Sequence, residues 1–348
     1  MKTLIDKLEK NRILTNEELV TLILNRNQKL AQYLFDKADA VRRRIYGNDI
    51  FIRGLIELTN YCKNDCFYCG IRKSNRNAAR YRLTGEQVLS CCETGYETGF
   101  RTFVLQGGED RYFTDNRLCD LIASIKSRYP DCALTLSVGE KSFASYQAYY
   151  SAGADRYLLR HETANEAHYK KLHPASMSLP ARKQCLYDLK EIGFQAGCGF
   201  MVGSPYQTAE CLAEDLLYIR ELEPEMVGIG PYIPHHDTPF AREPGGTIEM
   251  TLFMLGVVRL MLPNVLLPAT TALATIHPQG RELGILAGAN VIMPNLSPVD
   301  VRKKYLLYDN KIFTGDEAAE GFENLKKNME KIGYSIIIDR GDCKPMID

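Results

Sequence analysis

Tryptophan is absent from the chain, and so is any net charge: 43 Lys and Arg stand against 43 Asp and Glu. A balanced chain does not suit a nucleic-acid binder that works by bulk positive charge. Also missing is any run of ~18 uncharged apolar residues, the length a membrane-spanning helix needs. The longest uncharged stretches, such as 283–299, are broken by Gly and Pro, so no membrane partner is expected. The N-terminus, MKTLIDKLEKNR, reads as a charged helix start and not as an export signal. With 45% hydrophobic and 25% charged residues, the composition excludes a long disordered chain.

Cysteine, by contrast, is abundant. The chain has eleven, an odd number with no export signal. A disulfide framework is therefore a poor explanation, and a reduced cytoplasmic protein with metal or redox chemistry is a better one. Cys91, Cys92, Cys119, Cys185 and Cys211 fall in helix-like segments, and Cys132 and Cys198 lie by apolar strand-like runs. These seven are expected to be buried small hydrophobes. Cys343 stands alone in a polar tail.

Helical spacing of apolar residues over 1–47 predicts two or three helices. From residue 50 the pattern changes to short apolar runs alternating with amphipathic stretches. Eight runs read as strands: 50–58, 102–106, 133–138, 156–162, 195–203, 226–233, 265–271 and 290–295. They are apolar on both faces, as parallel strands covered by helices should be. Gly99, Gly153, Gly193 and Gly288 close helices just ahead of strands, where a left-handed residue is favoured. Pro130, Pro224 and Pro263 stop helices at the other junctions. Thr84 and Gln87 form a capping box at a helix start. Eight βα units predict an α/β fold, a (β/α)8 TIM-type barrel with an N-terminal helical extension. Residues 1–48 are expected as helices packed on the barrel, 49–310 as the barrel, and 311–348 as a C-terminal extension. Within that extension, 332–339 reads as one extra strand outside the barrel.

The chemistry concentrates just past the first strand. Cys62, Cys66 and Cys69 form a C-x3-C-x2-C loop, and a barrel places its site at that C-terminal strand face. Structural zinc normally takes four protein ligands, and no partner C-x2-C occurs elsewhere in the chain. A 4Fe–4S cube held by three Cys, with one iron free for a small molecule, accounts for three ligands better. Other candidates lie at strand ends. Gln106-Gly107-Gly108-Glu109 follows the second strand, Arg160-His161-Glu162 ends the fourth, and Thr270-Thr271 ends the seventh. Glycine lets backbone approach a ligand closely, Arg160 suits a carboxylate or another anion, and paired hydroxyls could hydrogen-bond a carboxylate. The histidines 161, 235 and 236 are expected in solvated or structural hydrogen bonds, and Arg42-Arg43-Arg44 as a solvated helix face.

The Cys loop, with the aromatic Tyr68 just before its third cysteine, resembles the signature of radical S-adenosylmethionine (SAM) enzymes. The chain is also similar to the HydE family of radical SAM maturases of FeFe-hydrogenase. That resemblance is carried by YLLRHETA (157–164), VGIGPYIPH (227–235), PATTA (268–272) and GANVIMPN (288–295). It implies reductive cleavage of SAM by one 4Fe–4S cluster on Cys62, Cys66 and Cys69. SAM contacts would fall on Tyr68, Gly107, Gly108, Glu109, Ser137, Glu162 and Arg182. An anion-binding substrate pocket would involve Gln106, Thr135, Arg160, Thr270, Thr271 and Met293. The implied substrate is a small organometallic iron precursor or amino-acid-like anion, processed during assembly of the hydrogenase di-iron site. Implied partners are a reductant such as flavodoxin or ferredoxin and the other hydrogenase maturases. Some family members carry a second cluster on C-terminal cysteines, but the stretch Ile312 to Phe322 has none. The alternative is a biotin synthase or methylornithine synthase type of enzyme. A biotin-synthase reading would need more cysteines inside the barrel than Cys198. An iron–sulfur carrier, which would bind a cluster without turning over SAM, is the non-enzymatic alternative.

Overall fold

The computed structural model describes residues 1–313 and 321–345. Its strands are β1 (Asp49–Ile52), β2 (Gly54–Thr59), β3 (Thr102–Gly107), β4 (Ala133–Ser137), β5 (Arg156–Leu158), β6 (Gln195–Cys198), β7 (Met201–Val202), β8 (Met226–Val227), β9 (Gly230–Pro231), β10 (Val291–Ile292) and β11 (Ser335–Ile337). The helices are α1 (Lys2–Asn11), α2 (Asn16–Leu24), α3 (Gln28–Tyr46), α4 (Gly85–Thr98), α5 (Asp115–Arg128), α6 (Phe143–Ser151), α7 (Glu166–Leu172), α8 (Leu179–Ile192), α9 (Ala209–Leu222), α10 (Ile248–Met261), α11 (Thr271–Ile276), α12 (Gly280–Leu286), α13 (Val299–Arg302) and α14 (Phe322–Lys331).

Six parallel strands run in the order β2-β3-β4-β5-β6-β8. The ring then closes through single bridges: Met226 to Leu266, Pro268 to Val291, and Leu55 to Asn295. Backbone bonds at these joints include Val227 N to Leu266 O (3.0 Å), Ala269 N to Val291 O (2.9 Å) and Leu55 N to Pro294 O (2.9 Å). An eight-position parallel barrel results, as expected from the alternation of runs. Residues 265–268 take the seventh position without forming a regular strand, because Pro268 has no N–H to give to a ladder. The expected first strand is split at Arg53. Its lower half, β1, pairs with β10 on one side and β11 on the other. Thus β11 is the extra strand expected outside the barrel.

The helix boundaries follow their local chemistry. The Thr84–Gln87 capping box is formed at α4, and Gly99 (φ 103°) and Gly193 (φ 105°) end α4 and α8 in the left-handed region. At the N-terminus, α3 packs against α10 and α2 against α9. The Arg42–Arg44 run departs from expectation. Arg42 is fully buried, and its guanidinium lies 4.1 Å from the centre of the Tyr334 ring. Tyr334 comes from the far end of the chain, just before β11, so nothing near Arg42 in sequence announces the contact.

Candidate functional site

The cysteine loop leaves β2 at the barrel mouth and is tied down at several points. The Arg80 guanidinium donates to the carbonyls of Asn60, Ile71 (2.9 Å), Arg72 (2.7 Å) and Asn75 (3.0 Å). Asp65 accepts from Arg72 Nε (2.7 Å) and from Ser74 N (3.0 Å) and Oγ (2.7 Å). Those bonds hold its carboxyl well below the usual range. Phe67 N donates to Leu172 O (3.0 Å) and Gly70 N to Leu307 O (2.9 Å). Gly108 lies directly under the loop: a Cβ there would stand 2.2 Å from Tyr61 O and 2.8 Å from Cys62 Cβ. No side chain fits, so this glycine lets the end of β3 support the loop.

Cys62, Cys66 and Cys69 are half-buried free thiols. Burial raises all three, Cys69 to about 12, and Cys66 and Cys69 each also feel the charge of Cys62. They stay protonated until an incoming metal displaces the protons. Their Sγ atoms do not all lie within 4.8 Å of one another. A single tetrahedral zinc at ~2.3 Å would hold its thiolates about 3.8 Å apart. The wider spread fits ligands at separate corners of an iron–sulfur cube. Met177 Sδ sits 3.7 Å from Cys66 Sγ.

Beneath the loop, the barrel lumen opens into a cavity of about 330 Å³. Cys66, Cys69 and Tyr68 line it together with Gln106, Arg160, Glu162, Thr270, Thr271 and Met293. Nine residues predicted from sequence therefore share one space. Arg160 Nη2 lies 3.1 Å from Glu162 Oε2, while Arg160 Nε and Thr270 Oγ1 are buried with no hydrogen-bond partner among the described residues. These are free donors facing a place for a ligand. Burial raises the Glu162 carboxyl, opposed by Arg160 and Arg182. Tyr68 is fixed by His173: its OH lies 3.1 Å from Nε2, and His173 Nδ1 lies 3.0 Å from Tyr169 O. Nδ1 therefore carries the proton and Nε2 accepts from Tyr68. Burial, with Arg182 adding, lowers His173 to about 3 and keeps it neutral.

The other predicted residues sit around this cavity. Thr135 lines a smaller space of about 20 Å³ below it, together with Arg53, Met226 and Met293. Ser137 pairs in register with Gln106 at the end of β4. Cys62, Gly107 and Gly108 lie where the loop meets β3. Glu109 is buried against Gly139 and lies 3.0 Å from Lys63 Nζ. Arg182 reaches from α8 to Glu140, Nε to Oε1 at 2.8 Å. Burial works against its charge, but Glu140, Tyr169 and Glu109 more than offset that.

Sequence reasoning passed over several residues. Glu57, fully buried on β2, forms an ion pair with Lys311, and Lys311 Nζ also donates to Tyr305 O (2.9 Å). Both line the main cavity, with Leu307 and Tyr308. A glutamate in the middle of an apolar strand was the available signal. Lys311, the first residue of the expected C-terminal extension, thus lies within the barrel mouth. Arg53, buried at the floor, has Nε and Nη2 without a hydrogen-bond partner among the described residues.

The histidines make hydrogen bonds. His161 is fully buried against Asp215. His235 Nδ1 accepts from Asp237 N (3.0 Å). His236 places Nδ1 2.7 Å from Asp309 and Nε2 3.3 Å from Asp237. His235, His236 and Asp309 have metal-ligand spacing. The bonds they make describe a clasp between the 235–237 turn and the 305–311 segment instead. Asp309 raises His236 above its ordinary value.

A three-thiol loop over a parallel barrel, with a cavity open to its thiols, defines a radical SAM enzyme. The description "Radical SAM superfamily" matches residues 56–219, from β2 through the loop to α9. Over 347 residues the chain is 42% identical to the [FeFe] hydrogenase maturase subunit HydE of Thermotoga maritima, covering 100% of this chain and 99% of that protein. The chain belongs to the HydE family of radical SAM proteins. It is also 27% identical to 3-methylornithine synthase of Methanosarcina barkeri, over 94% of this chain and 92% of that one. A crystal structure of methylornithine synthase superposes with a TM-score of 0.84 at 26% identity, covering 96% and 97% of the two chains. The maturase HydG, at 21% identity and TM-score 0.81 over 95% of this chain and 74% of that one, shares the fold. A 4Fe–4S cluster and SAM are the cofactors that radical SAM membership implies. No helix among the described residues is long and apolar enough to cross a membrane.

Proposed function

We propose that this protein uses SAM and one 4Fe–4S cluster per chain to process a small iron-bound or amino-acid-like anion during assembly of the FeFe-hydrogenase di-iron site. The observation that carries this reading is the shared cavity: the thiols of Cys66 and Cys69 and the unpartnered donors of Arg160 and Thr270 face one space. Cys62, Cys66 and Cys69 would hold the cluster. When bound, it supplies the electron that splits SAM into methionine and a 5′-deoxyadenosyl radical.

The chain's own groups then divide the work. Tyr68, Gly107, Gly108, Glu109, Ser137, Glu162 and Arg182 hold SAM. Charge supports this division, since half-buried Glu162 suits an ammonium and Arg182 a carboxylate. Deeper in the lumen, Gln106, Arg160, Thr270, Thr271 and Met293 receive the substrate, with Thr135 below them. The Glu57–Lys311 pair and the 305–311 segment keep water from the reacting space, which strengthens each polar contact inside. A reductant such as flavodoxin or ferredoxin and the other maturases are the proposed partners. A cytoplasmic location suits eleven free thiols. A biotin-synthase reading finds little support, because Cys198 is the one cysteine within the strands of the ring among the described residues. The test is anaerobic co-expression of a FeFe-hydrogenase with the other maturases, with and without this chain. Hydrogen evolution is expected only when the chain is present, and equal activity without it would refute the maturase role.

A further inference from the structure

We infer that Asp215, acting with His161, is a positioning residue that holds the 160–164 turn so that Glu162 faces the cavity. The inference rests on the assignment of Glu162 to SAM. Glu162 is a non-glycine residue in the left-handed region, φ 67°. Such backbone persists only where its surroundings over-determine it. Here the turn is held from two sides. On the barrel side, Glu162 N donates to Gly199 O (3.0 Å) and Met201 N to Glu162 O (3.4 Å).

On the outer side the hold comes from α9. Asp215 is fully buried there, and its Oδ1 accepts from the Ala164 backbone N–H. The same oxygen lies 3.2 Å from His161 Nε2. His161 Nδ1 accepts from Gly199 N (3.3 Å), so the ring proton is on Nε2 and is donated to Asp215. One carboxyl oxygen therefore grips the residues on both sides of Glu162. Its other oxygen, Oδ2, is buried with no hydrogen-bond partner among the described residues. Burial pushes the Asp215 carboxyl well above its ordinary value, and a buried carboxyl oxygen left unsatisfied opposes folding; two bonds to one turn are what the residue gives in return. Arg160 and Glu162 line the cavity while His161 turns away toward α9. Releasing His161 would let the turn relax and withdraw the Glu162 carboxylate.

The test uses the full-length, cluster-loaded chain and reads the SAM dissociation constant, the KM for SAM, and iron content. Asp215→Asn keeps an acceptor oxygen for both N–H groups and should stay within about threefold of the wild type. Asp215→Leu removes it and should weaken SAM binding and raise KM about tenfold, with iron content unchanged, because a displaced contact loses its geometry. His161→Leu removes one of the two bonds, should move the same constants in the same direction, and serves if Asp215→Leu does not fold. Glu162→Gln is the control for the underlying assignment. If Glu162→Gln weakens SAM binding while folded Asp215→Leu or His161→Leu binds SAM normally, the positioning role alone is overturned. If Glu162→Gln has no effect, the assignment of Glu162 fails and the positioning role falls with it.

Discussion

Cys66→Ala is expected to leave the loop unable to hold a cluster and to release no 5′-deoxyadenosine from SAM. The loop has three thiols for a cube that uses three, so there is no spare ligand. Met177 lies 3.7 Å from Cys66 Sγ, but a thioether is neutral and cannot replace a thiolate's charge. The fold should survive. Arg80, Asp65 and the backbone bonds of Phe67 and Gly70 hold the loop without using any of the three Sγ atoms. Circular dichroism should therefore match the wild type while iron at the loop and SAM cleavage both disappear. The same result is expected for Cys62→Ala and Cys69→Ala. Deoxyadenosine formation by Cys66→Ala would remove the basis for assigning the cluster to this loop.

Arg160→Ala should separate SAM cleavage from substrate handling. The side chain lines the cavity but lies outside the cysteine loop, and its Nε has no hydrogen-bond partner among the described residues. Its loss leaves Glu162 with Arg182 as a remaining positive neighbour, so SAM should still bind and be cleaved at a measurable rate. A charge-assisted bond to an anionic substrate is worth ~1.5–3 kcal/mol, so maturation should fall by about one to two orders of magnitude. Normal maturation by Arg160→Ala, measured as hydrogen evolved per hydrogenase, would show that the substrate does not use this cation.

The legible parts of this protein are those written over short stretches of chain. Three cysteines within eight residues announce a metal loop, and the glycines at 99 and 193 mark helix ends because left-handed backbone is needed there. Strand lengths were less legible. The run 156–162 is apolar over 157–159, yet β5 stops at Leu158 because the next residues turn to carry Arg160 and Glu162 into the lumen. Pairings across the barrel were hidden. Glu57 and Lys311 are 254 residues apart, His161 and Asp215 are 54 apart, and Arg42 is covered by Tyr334. In each case, the local sequence shows a charge or a ring and the partner is set by the closure of the barrel. Residues 314–320, most of the cysteine-free stretch weighed for a second cluster, lie outside the described residues.

The central claim, one four-iron cube on three loop thiols, is tested most directly by counting iron. Beyond Cys211 the chain holds only Cys343. The cysteines at 91, 92, 132, 185, 198 and 211 are buried. Burial raises Cys91 and Cys132 to about 11, Cys92 and Cys198 further, and Cys185 in the same direction. They lie on separate elements, in α4, just before β4, and in α8, β6 and α9, so no single loop gathers them into a second ligand set. After anaerobic reconstitution and desalting, the wild type should carry about four irons per chain, and the Cys62/Cys66/Cys69 triple alanine variant essentially none. A reproducible six or eight, with the excess surviving in the triple variant, would contradict the claim.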